Sequence, residues 1–392
     1  MQLGTVCEFI VDCEHKTAPI QETGYPSIRT PNIGRGHFIL DSVNRVSEKT
    51  YRLWTKRATP LPGDLIMARE APVGNVAMVP EGLQPCLGQR TLLIRPNKSK
   101  VAPRYLTYLL IGDKVQETIH ALTNGVTVPH LNMKDVRTLA LPEIPPLPVQ
   151  HQIAGILSAY DELIENSQRR IKILEEIARS LYREWFVHFR FPGHDKVKMV
   201  PSPLGPIPQG WEVKNVKEAL ARRPAGEVYR EEDVVLEGTV PVIDQSTNEL
   251  LGFHDNEPDH LATPENPIAI FGDHTCKMQL LVEPFSIGPN VVAFEANVDR
   301  SISYLFHIVR SLVQTQEYKR HWSQLTAKEI VMADKSTAEH FATSIQPSLQ
   351  QVEVLRKASR VLRRTRDLLL PRLLSGAIEL LDTGTLATQE IA

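Results

Sequence analysis

The sequence of 392 residues has few cysteines and almost no net charge. Its four cysteines show no paired spacing, and a chain of this length does not need disulfides, so we predict reduced, structural thiols. No run of roughly 18 apolar residues occurs, and the first residues lack the basic and apolar regions of a signal peptide. These absences argue against a disulfide-rich secreted domain and against a membrane partner. We expect a cytoplasmic protein.

Catalytic motifs are also missing. The sequence has no Gly-x-x-x-x-Gly-Lys phosphate loop, which argues against a motor, and no Asn/Asp-Pro-Pro-aromatic motif of DNA amino-methyltransferases. Cys7, Cys13 and His15 have no second ligand pair at the spacing of a zinc site. We therefore predict neither enzymatic activity nor a metal site.

What the sequence does contain is one arrangement that occurs twice. In each half a globular stretch is followed by a long amphipathic helix, and residues 131–136 match residues 325–330. This repeat indicates a duplicated domain, because solenoid units repeat every 20 to 50 residues or so. Two copies imply a pseudo-twofold molecule, which suits a partner with two halves, and double-stranded DNA is the commonest partner of that kind.

The two halves differ in charge. Residues 1–145 carry 17 basic and 13 acidic side chains, net +4, whereas residues 191–345 carry 14 basic and 22 acidic side chains, net −8. Affinity for DNA comes largely from phosphate neutralisation. If the second half contacts DNA, its basic residues must therefore cluster on one face.

Short β-like runs between Pro and Gly turns, together with helical segments, predict a mixed α/β (α+β) fold. We predict a first globular domain at 1–145, a long helix at 146–192, a second globular domain at 193–345, a second long helix at 346–380 that starts near Pro347, and a flexible tail at 381–392. Apolar residues at alternating spacings of three and four predict coiled-coil stripes on both helices. Such helices pack most simply as an antiparallel pair that joins the two domains.

Four segments carry a resemblance to a known family. They are Gly63-Asp64-Leu65-Ile66-Met67-Ala68-Arg69, Pro145-Pro146-Leu147-Pro148 with the helix that follows, Gly205-Pro206-Ile207-Pro208-Gln209-Gly210-Trp211, and Leu368-Leu369-Leu370-Pro371-Arg372-Leu373-Leu374-Ser375-Gly376. In this order, along nearly the whole chain, they resemble the specificity subunit of type I restriction-modification systems. The second half departs from the first, because the turn after Gly63-Asp64 is not reproduced after Gly272-Asp273.

The resemblance implies a DNA reader without catalysis of its own. In the family, each globular domain is a target recognition domain that reads one half of a bipartite, asymmetric sequence, and the helix pair sets the spacer between the halves. The implied partners are double-stranded DNA, two DNA methyltransferase (modification) subunits and motor-nuclease restriction subunits. The methylation cofactor belongs to the methyltransferase, so we assign no cofactor to this chain.

Two other classes of protein stay open from the residues alone. A coiled-coil scaffold that binds only protein is favoured by the acidic second half. A single-chain restriction enzyme is the other class, and the missing catalytic motifs argue against it.

Base reading requires polar side chains on loops or helix ends. The residues of this type that we predict to bind DNA are Lys16, Thr17, Arg29, Thr30, Asn32, Arg35, Arg69, Arg90 and Asn132 in the first half, and Gln245, Ser246, Asn248, His274, Lys277 and Asn290 in the second. Each could instead be a solvated loop residue that bonds its own backbone.

An aromatic cluster at the end of the first long helix is the predicted protein interface. Tyr182, Trp185, Phe186 and Phe189 are of the type that anchors a partner, here the methyltransferase subunit. Packing against the chain's own second domain is the alternative.

Overall fold

The computed structural model describes residues 1–123, 130–246, 250–314 and 320–380. The predicted tail at 381–392 lies outside the described residues. The chain divides into two compact units. The first consists of Met1–Ile164 together with the chain from Val361 onward, and the second is Glu165–Arg360. In the described ranges no helix combines the length and the apolar character that a membrane span requires.

The first unit contains seven of the strands and the start of the first long helix. The strands are β1 (Cys7–Asp12), β2 (Tyr25–Ile28), β3 (Arg45–Val46), β4 (Leu65–Ala68), β5 (Val76–Met78), β6 (Cys86–Leu87) and β7 (Thr91–Pro96). The helices are α1 (Glu48–Trp54), α2 (Pro103–Ile111), α3 (Asp113–Ala121), α4 (Met133–Thr138) and α5 (Leu147–Tyr182), with short 3-10 helices at Leu3–Val6 and Thr30–Asn32.

The second unit has similar strands and helices and several additional strands. Its strands are β8 (Met199–Val200), β9 (Ile207–Pro208), β10 (Glu212–Asn215), β11 (Leu220–Arg222), β12 (Val240–Ile243), β13 (Leu250–His254), β14 (Ile268–Gly272), β15 (Met278–Leu281), β16 (Ser286–Ile287), β17 (Val291–Ala296) and β18 (Glu329–Met332). The helices are α6 (Val216–Ala219), α7 (Ile302–Val309), α8 (Trp322–Thr326) and α9 (Lys335–Leu374), with 3-10 helices at His194–Lys196 and Glu231–Asp233.

The two units have the same sheet topology. A four-stranded antiparallel sheet has the order β1-β7-β4-β5 in the first unit and β11-β17-β14-β15 in the second. A smaller sheet has the order β3-β2-β6 in the first unit and β13-β12-β16 in the second. Among the strands described, the parallel pair of each smaller sheet is β2–β6 or β12–β16. The predicted mixed fold and the duplication are therefore confirmed.

The central strands are apolar along their whole length because both faces of the main sheet are covered. Leu65 and Met67 face a core that includes α2, whereas Ile66 and Ala68 face a second cluster beneath the smaller sheet. The second unit divides β14 in the same way between two clusters. Such strands show no alternation of polar residues.

The long helices begin and end near proline and glycine. The first starts at Leu147, beside the predicted Pro148, and after Tyr182 continues as a π-helical turn at Arg183–Val187. The second ends at Leu374, two residues before Gly376, whose φ of 72° is typical of the glycine that follows a helix end. In the second unit the two helices run antiparallel, since Glu175 pairs with Arg356 and Trp185 contacts Phe341.

The start of the second long helix differs from the prediction. It begins at Lys335, so Pro347 is inside the helix and not at its first turn. Asp334 marks the start, because its carboxylate accepts the Thr337 N–H at 3.0 Å. An internal proline removes a helical hydrogen bond. Burial of Phe341 and Ile345, in the two turns that precede Pro347, offsets the loss.

The helical segment after β7 is two helices, α2 and α3, that meet at Gly112. One expectation about the repeat also needs correction. The sequence match of residues 131–136 with residues 325–330 is out of register. In the structure Leu131 corresponds to His321, because their N–H groups bond the equivalent carbonyls of Arg69 and Asp273.

The same register explains why the turn after Gly63-Asp64 is not reproduced after Gly272-Asp273. Gly272-Asp273 ends β14, whereas Gly63-Asp64 precedes β4. The structural counterpart of Asp273 is therefore Arg69, and the two glycine-aspartate pairs are not equivalent.

Candidate nucleic-acid interface

Several loops of the first unit meet at one edge of the four-stranded sheet. Asp12 ends β1 opposite Leu92, and Ala68 ends β4 opposite Thr91. The loops that follow β1 and β4 and the turn that precedes β7 are therefore neighbours. Most of the predicted DNA-binding residues of the first half lie on these loops or on the loop after β2.

The loop after β1 carries Lys16 and Thr17, and both are exposed. The Thr17 hydroxyl donates to Gln89 Oε1 at 3.3 Å, and Gln89 Nε2 donates to the His15 carbonyl oxygen at 3.3 Å. Gln89 thus ties this loop to the turn before β7. Sequence reasoning missed Gln89, and its position beside Arg90 was the available signal.

The start of the loop after β2, residues 29–32, contains three predicted residues in different environments. Arg29 is exposed, whereas Thr30 is buried. Asn32 Oδ1 accepts the Arg29 N–H at 3.1 Å and its Nδ2 donates to the Ile39 carbonyl oxygen at 3.2 Å, so this side chain shapes the turn. Of the three, Arg29 is the side chain most available to a ligand.

Arg69 organises the edge from within. Its guanidinium contacts the Asp12 carboxylate at 2.6 Å, with both side chains only 16% exposed, and its Nε donates to the Leu131 carbonyl oxygen at 2.9 Å. Asn132 follows Leu131 at the start of α4, where its Nδ2 donates to Asp135 at 3.1 Å. Arg69 therefore holds three segments together, and Asn132 is exposed beside them.

Arg90 occupies an unusual backbone conformation at the same edge. Its φ is 64°, in the left-handed region that residues other than glycine seldom adopt. Arg90 Nε contacts Glu70 Oε2 at 2.8 Å, and the Arg90 side chain is 61% exposed. An exposed ion pair of this kind contributes little stability and can be exchanged for another partner.

Arg35 is not part of this group. Its guanidinium donates to the Ile111 carbonyl oxygen at 2.6 Å and contacts Asp113 at 3.3 Å. It lines a cavity of about 520 Å³ beside α2, α3 and both long helices. A role of Arg35 in DNA binding stays a prediction with no neighbouring candidate to support it.

In the second unit the corresponding loops bond directly to one another. Gln245, after β12, accepts the His274 N–H on its Oε1 at 3.1 Å, and its carbonyl oxygen accepts from the Thr275 hydroxyl at 3.0 Å. The Lys277 ammonium donates to the Ser246 carbonyl oxygen at 2.6 Å. The structure thus brings Gln245, Ser246, His274 and Lys277 together, whereas Asn248 lies outside the described residues.

Asn290 is the counterpart of Arg90. Its φ is 59°, it is exposed, and it lies immediately before β17. Its neighbour across the edge is the loop that begins at Asp273, whose N–H donates to the Asn290 carbonyl oxygen at 2.8 Å. The same bond joins Arg69 to Arg90 at 2.8 Å.

The aromatic cluster lies in the core of the second unit. Trp185 and Phe186 are 8% and 6% exposed, and their rings contact Phe341, which is fully buried. Tyr182 also contacts Phe341, and Phe189 contacts Trp211. Packing against the chain's own second domain therefore accounts for these residues, and a direct contact with a methyltransferase stays a prediction.

In the described part of the chain one trio has ligand atoms close enough for a metal ion: Asp12, Cys13 and His15, within 4.8 Å of one another. Asp12 already contacts Arg69, and His15 Nε2 lies 3.1 Å from the same carboxylate. Burial raises the pKa of the Cys13 thiol, which disfavours the thiolate. This arrangement fits an ion-paired network better than a cation site.

Comparison with known proteins relates the first half to a described family. Residues 1–176 match the family model described as "Type I restriction modification DNA specificity domain". The chain is also 24% identical over 370 residues to the "Type I restriction enzyme MjaIX specificity subunit" of Methanocaldococcus jannaschii, an alignment that covers 87% of this chain and 83% of that protein. The chain is thus related to type I specificity subunits.

Further specificity subunits agree with this relationship. The "Putative type I restriction enzyme MjaX specificity subunit" of the same organism is 30% identical over 227 residues, which is 53% of this chain and 51% of that protein. The crystal structure of the type I restriction-modification system S subunit from M. genitalium matches with a TM-score of 0.59 at 17% identity and covers 95% of both chains. The fold is therefore that of a type I S subunit along nearly the whole chain.

Proposed function

We propose that this chain is the non-catalytic specificity subunit of a cytoplasmic type I restriction-modification complex. Each unit reads one half of a bipartite, asymmetric DNA sequence through the loops at the edge of its four-stranded sheet. One observation carries the proposal: both units present equivalent loops at equivalent strand ends, but with different side chains. Equal scaffolds with unequal side chains suit two unequal half-sites.

The two edges differ in how they meet DNA. In the first unit Lys16, Arg29 and Arg90 are exposed cations that can neutralise phosphates or contact bases. In the second, Asp244 and Asp273 accompany Lys277. We therefore expect the first unit to contribute more of the salt-dependent affinity, and the second to rely more on neutral hydrogen bonds to bases.

The partner subunits dock elsewhere. We propose that two methyltransferase subunits, which bring the methylation cofactor, and the motor-nuclease subunits bind outside the DNA-reading edges. The long helices expose apolar side chains outside the buried clusters of the described residues. They are Val361 and Leu368 in the first unit and Ile173, Ile177 and Val354 in the second, each at least 52% exposed. Exposed apolar residues of this kind are typical of protein interfaces.

The test is a map of methylated adenines in cells that carry the methyltransferase with this chain, with an empty vector, or with a chain whose first unit is exchanged for that of another specificity subunit. We expect a bipartite motif that requires the chain, and the exchange should change one half only. Identical methylation with and without the chain would instead favour a scaffold that binds only protein.

A second measurement examines the charge difference. Binding of the methyltransferase complex to its duplex should weaken steeply as salt rises, because phosphate contacts release counterions. Substitution of Lys16 and Arg29 by Gln should reduce the slope of log binding constant against log salt concentration. The expected reduction corresponds to about one to two phosphate contacts. Equal binding at low and high salt would contradict DNA reading.

A further inference from the structure

The turn before β7 and the turn before β17 have the same backbone. Each follows a buried glycine, Gly88 or Gly288, whose N–H bonds the last carbonyl of the neighbouring parallel strand, at 2.7 Å to Ile28 and 2.9 Å to Ile243. Each then reaches an exposed residue with φ near 60°, Arg90 or Asn290. Because hydrogen bonds fix both turns at both ends, the two side chains leave the backbone at equivalent points.

A second position is equivalent by the same register. The loop after the central strand begins with Arg69-Glu70 in the first unit and with Asp273-His274 in the second. Glu70 Oε2 lies 2.8 Å from Arg90 Nε, and the Arg90 side chain is nevertheless 61% exposed. The carboxylate therefore orients an arginine that is still open to solvent.

Arginine and asparagine recognise different bases. The guanidinium donates two hydrogen bonds to O6 and N7 of guanine, whereas the asparagine amide pairs with N6 and N7 of adenine. Glycine would fit either turn without strain, so both turns carry a side chain at a conformational cost. A side chain at an exposed edge, held in such a conformation, is available for contact with a ligand.

We propose that Arg90 and Asn290 occupy the same reading position in the two units, and that the first unit thereby selects a guanine and the second an adenine at equivalent places in the two half-sites. This inference rests on the proposed function and deepens it, because it assigns one base of each half-site to one residue. Glu70 is a positioning residue for Arg90.

The experiment is methylation mapping with R90N and N290R chains co-expressed with the methyltransferase. R90N should replace one guanine by adenine in one half of the motif and lower methylation of the original motif roughly 10- to 100-fold. N290R should make the reverse change in the other half only. The control is R52N, which alters another exposed arginine that is paired with a carboxylate, Glu48, on α1.

A binding measurement with the unaltered chain covers the case in which a variant assembles poorly. The duplex is synthesised with 7-deazaguanine in place of the one guanine that the R90N chain replaces by adenine in its motif. If R90N yields no motif, each guanine of the half-site read by the first unit is replaced in turn. Loss of N7 at one position should weaken binding roughly tenfold for the wild-type complex and leave binding by an R90G complex unchanged. R90G is favoured at this backbone conformation, so its complex should assemble.

Three results would overturn the inference: a wild-type motif without guanine in the half read by the first unit, a motif that R90N and R90G both leave unchanged, or a change in both halves from one substitution. None of these removes the proposed function, provided that the wild-type motif is bipartite. Absence of any chain-dependent motif would overturn the proposed function itself.

Discussion

Among the edge loops described, those of the first unit include two ion pairs, Arg69 with Asp12 and Arg90 with Glu70. The corresponding loops of the second unit are joined by hydrogen bonds around Gln245 and by one from the Lys277 ammonium to the Ser246 carbonyl oxygen. The backbone bonds that place the loops are nevertheless the same in both. The difference shows that loop position depends on the strand ends and on main-chain bonds. The side chains can then vary as sets, which is what two different half-sites require.

The cores near the long helices differ as well. In the second unit Phe341 lies among rings, with Tyr182, Trp185, Phe186 and Tyr304 all within 6.3 Å between centroids. In the first unit the helix contributes aliphatic residues such as Ile153 and Leu157. The second unit thus concentrates its aromatic packing around Phe341. Loss of this one ring should remove contacts with several neighbours at once and lower the stability of the unit.

The largest expected effect is that of Phe341→Ala. Phe341 is fully buried, so its loss should lower the free energy of unfolding of the second unit by about 3–5 kcal/mol. Tryptophan fluorescence is the suitable probe, because Trp185, Trp211 and Trp322 lie in this unit and Trp54 alone lies in the other. The transition should shift to lower denaturant.

Leu157→Ala is the matched control in the first unit, where Leu157 is fully buried. It should lower stability by about 2–5 kcal/mol, seen mainly by circular dichroism and less by fluorescence. If both variants shift the fluorescence transition equally, the two units do not unfold as separate cooperative bodies.

The next comparison concerns the equivalent residues Arg69 and Asp273. Arg69→Ala removes an ion pair and a hydrogen bond to Leu131, and we expect a loss of about 2 kcal/mol. Asp273→Ala removes one acceptor, to which the Trp322 N–H donates at 2.8 Å, and should cost about 1 kcal/mol. Chemical denaturation of both variants ranks them. If the Asp273 variant were less stable than the Arg69 variant, the claim that Arg69 contributes more to the stability of its edge would be wrong.

The smallest effect is a pH dependence of the second unit. Burial and the neighbouring Glu283 raise the pKa of Glu353 to about 7. Burial opposes ionisation of Glu283 too, but hydrogen bonds from Glu353, Lys357 and Arg360 lower its pKa to about 2. Glu353 therefore binds a proton more tightly in the folded chain, so its contribution to stability is present below pH 4.5 and is lost as pH rises towards 7.

Glu353→Gln should abolish that loss, since the amide still donates to Glu283 but does not ionise. Between pH 5 and pH 8, roughly, the stability of the wild type should fall by about 1 kcal/mol more than that of the variant. Denaturant titrations at both pH values measure the difference. Glu143→Gln, at a surface position of the first unit, serves as the control; parallel curves for wild type and Glu353→Gln would refute the assignment.

Much of the fold could be predicted from the sequence where local chemistry acts alone. The apolar runs of β4, β7 and β14, the Pro start of the first long helix and the Gly376 stop all follow from short-range preferences. The start of the second helix could not be found in this way. A proline usually marks a helix start, but here burial of Phe341 and Ile345 keeps Pro347 inside the helix.

The candidate site was predictable as a set of loops and not as an arrangement. Polar residues in turns suggested Arg29, Arg90, Gln245 and Asn290, but their grouping depends on which strand ends lie together. The faulty sequence register, which matched Leu131 with Leu325, concealed the equivalence of the two halves. The aromatic cluster shows the reverse difficulty, because composition alone cannot separate an interface from a core.

The first unit is discontinuous in the chain, whereas the second is a single stretch, Glu165–Arg360. Leu373 is buried in the core of the first unit, and Arg366 contacts Asp161 at 2.7 Å. A ribosome makes these residues after the whole second unit, so during synthesis the second unit can fold while the first still lacks part of its core. The half of the protein that is translated first is therefore completed last, and a chain released early would carry an intact second unit beside an unfinished first one.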